Sequence, residues 1–189
     1  LNLPPDVFKI RTAGNPTASV QASHEDYTLK ILLQSELGDR LNEAGRAFGF
    51  TARHVASLIE PAIPLSPGER QVFNVPLRRT SARGHKSKIE EINLQPLLQQ
   101  LISSELDADR MDYLRRDSFF TGVSYGHYDF EWMCNNLTFY VHDAKAFLAL
   151  EHRALFTFED FLLSRFHMFL MVYLHKRTVI YDRMLREYL

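Results

Sequence analysis

The sequence predicts an all-α domain, and three observations carry that prediction. Apolar residues fall at 94, 97, 98, 101, 102, 106, 111 and 114, a helical period that implies one or two consecutive helices over Leu94–Ser118. Capping-box patterns stand at Ser23/Asp26 and Thr157/Asp160, each just ahead of an apolar stripe. The stretch from Thr157 to about Tyr188 carries Phe161, Leu162, Phe166, Phe169, Leu170, Val172 and Tyr173 too broadly for a surface helix, so it is expected at the centre of the core.

Taken in order, residues 1–22 contain Pro4, Pro5, Gly14 and Pro16 without a sustained period. They read as an irregular lead-in, or as the remnant of a missing N-terminal segment, since the chain opens with LNLPPD rather than Met. Residues 23–189 read as one partial helical domain. Its first helix starts at the Ser23 cap, carries Tyr27, Ile31 and Leu32 on one stripe, and has Gly38 as its expected stop. A second is expected over 39–47, and a third from Thr51 to Glu60, where Pro61 ends it. Four prolines and Gly68 make 61–76 an irregular connection. Residues 77–88, LRRTSARGHKSK, read as a solvated basic loop or as a phosphate- or nucleic-acid-contacting segment. No aromatic residue is interleaved there, which argues against a base-stacking platform. Thr121–Tyr128 is a Gly-containing turn, and Asp129 can cap a helix holding Trp132, Met133 and Leu137. Residues 138–144 fit strand and turn equally.

Composition narrows the function. With 189 residues, 46% apolar and 24% charged, the chain is long enough for one soluble domain with a real core. A net charge of −1 creates no global field to recruit nucleic acid or an acidic membrane. A single cysteine, Cys134, excludes an internal disulfide framework and fits a cytoplasmic location. No apolar run approaches a membrane span. Gly-rich phosphate loops, C-x-x-C pairs, H-E-x-x-H and G-x-S-x-G are absent from the sequence, leaving carboxylate and histidine chemistry.

That chemistry concentrates in LDADRMDYLRRDS, residues 106–118, with four acids, three arginines and a tyrosine. On a helix Asp109, Tyr113 and Asp117 share a face with Arg110 at its edge. Such a stripe can bind a metal, a phosphate and a sugar hydroxyl together, and it equally fits a solvated helix with i,i+4 ion pairs. Other histidine groupings are weaker. His142-Asp143 is an HD dipeptide without a second histidine at helical spacing, and His167 and His175 are eight apart on the last helix. His24 begins a helix, where it can face an anion or simply solvent.

The block ISSELDADRMDYLRRDSFFTGVSYG, residues 102–126, resembles the region around the last metal-ligating aspartate of the HD-domain phosphohydrolases. The nearest subgroup is the deoxynucleoside triphosphate triphosphohydrolases and the SAM-and-HD-domain dNTPases. SHEDYTLKIL at 23–32 resembles the family's H-E helix, and FEDFLLSRFHMFLMVYLHK at 158–176 its R…Y-x-H-K helix. The resemblance implies an HD-domain-like helical bundle, incomplete at its N-terminal side. It implies hydrolysis of a dNTP to deoxynucleoside and tripolyphosphate with a divalent metal (Mg, Mn, Fe or Zn). The implied roles are Asp109 as metal ligand, Arg110 and Arg165 as phosphate contacts, Tyr113 and Tyr173 beside the sugar and nucleoside, Asp117 on the 3′-hydroxyl, and His24 as the catalytic group protonating the leaving oxygen. His175 and Lys176 match positions of an effector-nucleotide site. A homo-oligomer is implied, with neither nucleic acid nor membrane as partner. The family's H…HD ligands normally precede the H-E helix, and the 23 residues before His24 hold no histidine. As given, the chain is therefore expected not to assemble the metal site. Phe169 and Met171 also replace a His and an Arg of the animal enzyme. The alternative expectation is a non-catalytic nucleotide-binding or scaffold protein that has lost those ligands.

Overall fold

Strands come in consecutive pairs separated by runs of helices: β1 (Lys9–Thr12), β2 (Asn15–Gln21), α1 (His24–Gln34), α2 (Glu36–Gly45), α3 (Ala52–Ile59), α4 (Pro67–Arg70), β3 (Asn74–Arg79), β4 (Lys88–Asn93), α5 (Gln95–Ile102), α6 (Ala108–Thr121), α7 (Phe130–Asn135), β5 (Leu137–His142), β6 (Lys145–Leu150), α8 (Leu155–Met168) and α9 (Lys176–Tyr188). The computed structural model describes residues 9–12, 15–79 and 88–188. A four-stranded mixed sheet, ordered β3-β4-β6-β5, and a separate β1–β2 hairpin overturn the expected all-α, HD-domain-like bundle. The fold is α/β.

Each misread strand has a local reason. The described part of the lead-in, expected to be irregular, pairs Lys9–Thr12 with Asn15–Gln21. Pro76 made its surroundings look like loop, yet β3 is an edge strand, where a missing N–H need not break a ladder. Residues 80–87 of the basic stretch lie outside the described residues, while its ends belong to β3 and β4. The third case is the β5–β6 turn. His142 pairs directly with Lys145, so Asp143 and Ala144 alone make the connection, at φ 48° and 56°. Both central residues of such a turn must adopt positive φ, which normally appears in sequence as Asn-Gly or Asp-Gly. Here the second position is alanine, and the signal is missing.

Because an L-residue pays roughly 1 kcal/mol or more for the left-handed region, Ala144→Gly is expected to stabilise the protein by about 0.5 kcal/mol after the greater unfolded-state freedom of glycine is subtracted. A higher urea midpoint with unchanged slope is the expected reading; a lower midpoint would contradict it. Among the described residues a single parallel bridge, Asn93 to Lys145, joins this hairpin to β3–β4, supported by the Asn93 N–H donating to the Ala144 carbonyl at 2.8 Å.

Several helix signals act as read. The Ser23 N–H donates to the Asp26 carboxylate at 2.7 Å, while the Asp26 N–H donates to Ser23 Oγ at 3.3 Å. Thr51 caps α3 with His54 as its reciprocal partner. Gly38 does not stop α1, which ends at Gln34 because Ser35 caps α2. It lies inside α2, where an added Cβ would come 2.2 Å from the Leu32 carbonyl oxygen. The long C-terminal helix is also interrupted. It opens at Leu155, widens into a π turn over Phe169–Tyr173 with the Leu174 N–H donating to Phe169 O at 2.8 Å, and resumes at Lys176.

The core gathers Leu106, Met111 and Leu114 around α6, Met133 from α7, and Phe161 and Met168 from α8. Only one side of α8 is buried, so the expected central helix is an amphipathic wall. None of the residues of α9 is buried. No helix among the described residues is long and apolar enough to cross a membrane.

Candidate functional site

The core sets the site by deciding which face of α6 is left over. Met111, Leu114 and Ser118 are buried, so Tyr113 and Asp117 come to the half-buried margin beside α8. Asp107, nearly buried, starts the helix by accepting from the Arg110 N–H at 2.7 Å and the Ser104 N–H at 3.1 Å. Across the groove, Phe161, Ser164 and Met168 of α8 point inward and leave Arg165 at its edge. The π turn then places Tyr173 opposite Asp117.

The resulting strip is continuous. The Tyr173 hydroxyl donates to Asp117 Oδ2 at 2.5 Å, and its ring meets Tyr113 edge-on at a centroid distance of 6.3 Å. Phe169 stands edge-on to Tyr173 at 5.2 Å, and the Arg165 guanidinium lies 5.8 Å from the Phe169 ring centroid. Arg165 Nη1 donates to Glu105 Oε2, and Arg110 Nη1 stands 3.7 Å from the other carboxylate oxygen. Arg110 Nη1 also donates to the Ser104 carbonyl and lies 3.6 Å from Asp107.

Two groups of the strip, Tyr173 and Glu105, have perturbed acidity. Burial pushes the Tyr173 phenol up, and its bond to Asp117 adds to the shift, so it remains a donor at neutral pH. Hydrogen bonding from Arg165, then the positive charge of Arg110, holds the Glu105 carboxyl below the usual glutamate range. Glu105 also borders a cleft of about 590 Å³, lined by Gln100, Ser104, Leu150 and Phe158 among others.

Five expected site residues, Arg110, Tyr113, Asp117, Arg165 and Tyr173, therefore share one strip. His24 does not join them through any hydrogen bond, ion pair or ring contact among the described residues. It is largely exposed on α1 and pairs with Glu25 at 2.9 Å. Asp109 is exposed in the first turn of α6, and the described residues contain no group of three or more His, Cys, Asp or Glu able to hold a metal ion. His142 and Asp143, 3.4 Å apart, occupy the exposed end of the β5–β6 hairpin. His167 lies beside Tyr125 and Phe166, whereas the His175 ring accepts from the Arg177 N–H. Glu105 was not anticipated. It lies outside any helical stripe and its Arg165 partner is 60 residues away, so no local pattern signals it.

No family model matches the chain. Over 78 residues, 41% of the chain, it is 41% identical to Uncharacterized protein YwfO of Bacillus subtilis, covering 17% of that relative. It is 37% identical over 93 residues to Uncharacterized protein MG461 of Mycoplasma genitalium, 48% of the chain and 22% of the relative. With Uncharacterized protein MJ1154 of Methanocaldococcus jannaschii the identity is 34% over 99 residues, 52% of the chain and 22% of the relative. The matched part thus spans about a fifth of these curated relatives. A hypothetical protein from Aquifex aeolicus, known from its crystal structure, is similar with TM-score 0.59 and 27% identity, over 88% of this chain and 36% of that one.

Proposed function

We propose that the chain supplies the sugar- and phosphate-binding wall of a nucleotide phosphohydrolase whose substrate is a deoxynucleoside triphosphate. The observation that supports this reading is the strip itself. A carboxylate, a phenol and aromatic edges stand at one end and two guanidiniums at the other. From Arg110 to Asp117 is seven residues of helix, or about 10 Å of rise, a span suited to a sugar followed by a short phosphate chain.

Asp117 accepts from a sugar hydroxyl, while the protonated Tyr173 donates and fixes the carboxylate's orientation. Tyr113 and Tyr173 present apolar edges to the sugar ring. Arg110 and Arg165 bind phosphate oxygens through charge-assisted hydrogen bonds and take up charge that develops as a phosphoryl bond breaks. Hydrolysis at the α-phosphorus would release deoxynucleoside and tripolyphosphate. The resemblance also implies a divalent metal, and the described residues do not fit one. Asp109 offers a single exposed carboxylate, whereas holding such an ion against water takes several ligands. That same mismatch favours the second reading, a nucleotide-binding module without hydrolysis.

Titration calorimetry with a dNTP, and an assay for tripolyphosphate in the presence of Mn²⁺ or Mg²⁺, separate the readings. Binding by this chain is expected under both readings, and tripolyphosphate release under the first only when the chain is joined to the family's H…HD metal ligands. Asp117→Ala is expected to weaken dNTP binding about tenfold, since a hydrogen bond to a charged group contributes about 1.5 kcal/mol or more. Absence of dNTP binding by the unaltered chain would sink both readings.

A further inference from the structure

We infer that the Glu105 carboxylate is the resident occupant of the two-guanidinium phosphate site proposed above, displaced when a polyphosphate chain binds. The inference rests on the proposed nucleotide reading for its ligand, but its geometry is independent of that reading. Glu105 is on the loop before α6 with a side chain 68% exposed, whereas Arg110 and Arg165 are only 26% and 28% exposed. The cations are therefore the fixed partners and the anion the solvent-facing, exchangeable one.

Each arginine has a hold that does not depend on Glu105. Arg110 is tied to the Ser104 carbonyl and stands near Asp107, and Arg165 lies over the Phe169 ring. Asp107 cannot serve as the resident anion in the same way. It is nearly buried and its oxygens are occupied by the N–H groups of Ser104 and Arg110, so it stays in place as the helix cap. Among the described residues, Glu105 is the carboxylate that bridges the two guanidiniums, one oxygen toward each. Two cations sharing one carboxylate leave donors to spare, because each guanidinium carries five N–H groups. A chain of phosphates can satisfy both cations with several oxygens each, where one carboxylate has two. The displaced side chain has room to turn, since Glu105 also borders the cleft lined by Gln100, Leu150 and Phe158.

An exposed arginine–carboxylate pair contributes at most about 1 kcal/mol, so the resident carboxylate is a weak competitor that tunes affinity rather than blocking the site. Removing it is expected to tighten anion binding about two- to fivefold.

The test uses the full chain and sodium tripolyphosphate as the probe, titrated by calorimetry without nucleotide. Glu105→Gln and Glu105→Ala should each bind tripolyphosphate about two- to fivefold more tightly than the unaltered chain. Adding Arg165→Gln to either should remove the gain. Equal or weaker binding in the Glu105 variants would overturn the inference and make Glu105 a group that orients the arginines. Undetectable tripolyphosphate binding in every protein would overturn it too. The two readings fail separately. Tighter tripolyphosphate binding in the variants, with no dNTP binding by the unaltered chain, leaves this inference standing and removes the nucleotide assignment. Normal dNTP binding with no effect of Glu105 does the reverse.

Discussion

Gly126→Ala is expected to lower the stability of the folded chain by about 3 kcal/mol, the sum of an overpacked backbone contact and a weakened hydrogen bond. An added Cβ would come 2.1 Å from the Leu114 carbonyl oxygen, 2.8 Å from Ser118 Cβ and 3.0 Å from the Leu114 carbonyl carbon. None of these atoms is the loose end of a long side chain, so either α6 or the turn after it must move. Movement also stretches the Gly126 N–H to Ser118 Oγ bond of 3.3 Å. The same hydroxyl donates to the Val123 carbonyl at 2.5 Å, so the whole turn is pinned to α6 through Ser118. Urea unfolding should show the loss, with a fall in melting temperature of about 6–12 °C for a chain of this size. A change below about 1 kcal/mol would show that the turn yields easily. Since Leu114 lies between Tyr113 and Asp117, nucleotide binding should weaken together with stability.

Phe161→Ala is expected to cost about 3–5 kcal/mol, through lost transfer energy and the cavity left behind. Phe161 is fully buried, with the Tyr128 ring edge-on at 5.2 Å and Phe158 stacked at 6.1 Å. It joins α8 to the Leu114 and Met133 side of the core. The informative comparison is Phe166→Ala on the same helix. Phe166 is 56% exposed, and its loss should stay within about 0.5 kcal/mol. Equal effects in the two variants, measured by denaturant unfolding, would mean that α8 packs by a different face.

That pair of phenylalanines shows where the sequence was readable and where it was not. Apolar content along 157–188 announced a helix, but not which side met the core, because both sides of α8 are rich in large apolar residues. Caps were legible in part: Thr157 and Asp160 lie inside α8, whose N-cap Ala154 makes no side-chain bond, so that expected box is not the helix start. Ser23 with Asp26 and Asp129 with the Trp132 N–H are local interactions between a few consecutive residues, and they form as their spacing suggests. The placing of Tyr113 and Asp117 on one face was legible for the same reason, since one helix fixes it, whereas Asp109 of the same stripe is exposed and outside the strip. The strands were not. Pro76 is tolerated only because β3 lies at an edge, and Ala144 occupies a turn position that glycine would have announced. Sheet order and the Glu105–Arg165 pair depend on segments far apart in the chain, so no neighbouring residue carries their signal.

The π turn at Phe169–Tyr173 bears on how this chain should be aligned with distant relatives. It holds one residue more than an α-helical path over the same rise, and each residue of an α-helix advances the side-chain direction by about 100°. A relative lacking one residue between Met168 and Tyr173 could continue as a regular helix over the same rise and keep its counterpart of Tyr173 facing the counterpart of Asp117. A relative of the same length that followed an α-helical path throughout would carry that residue about 100° out of phase, away from the carboxylate. The widened turn, more than the identity of any residue in it, decides whether a homologue of this length inherits the strip.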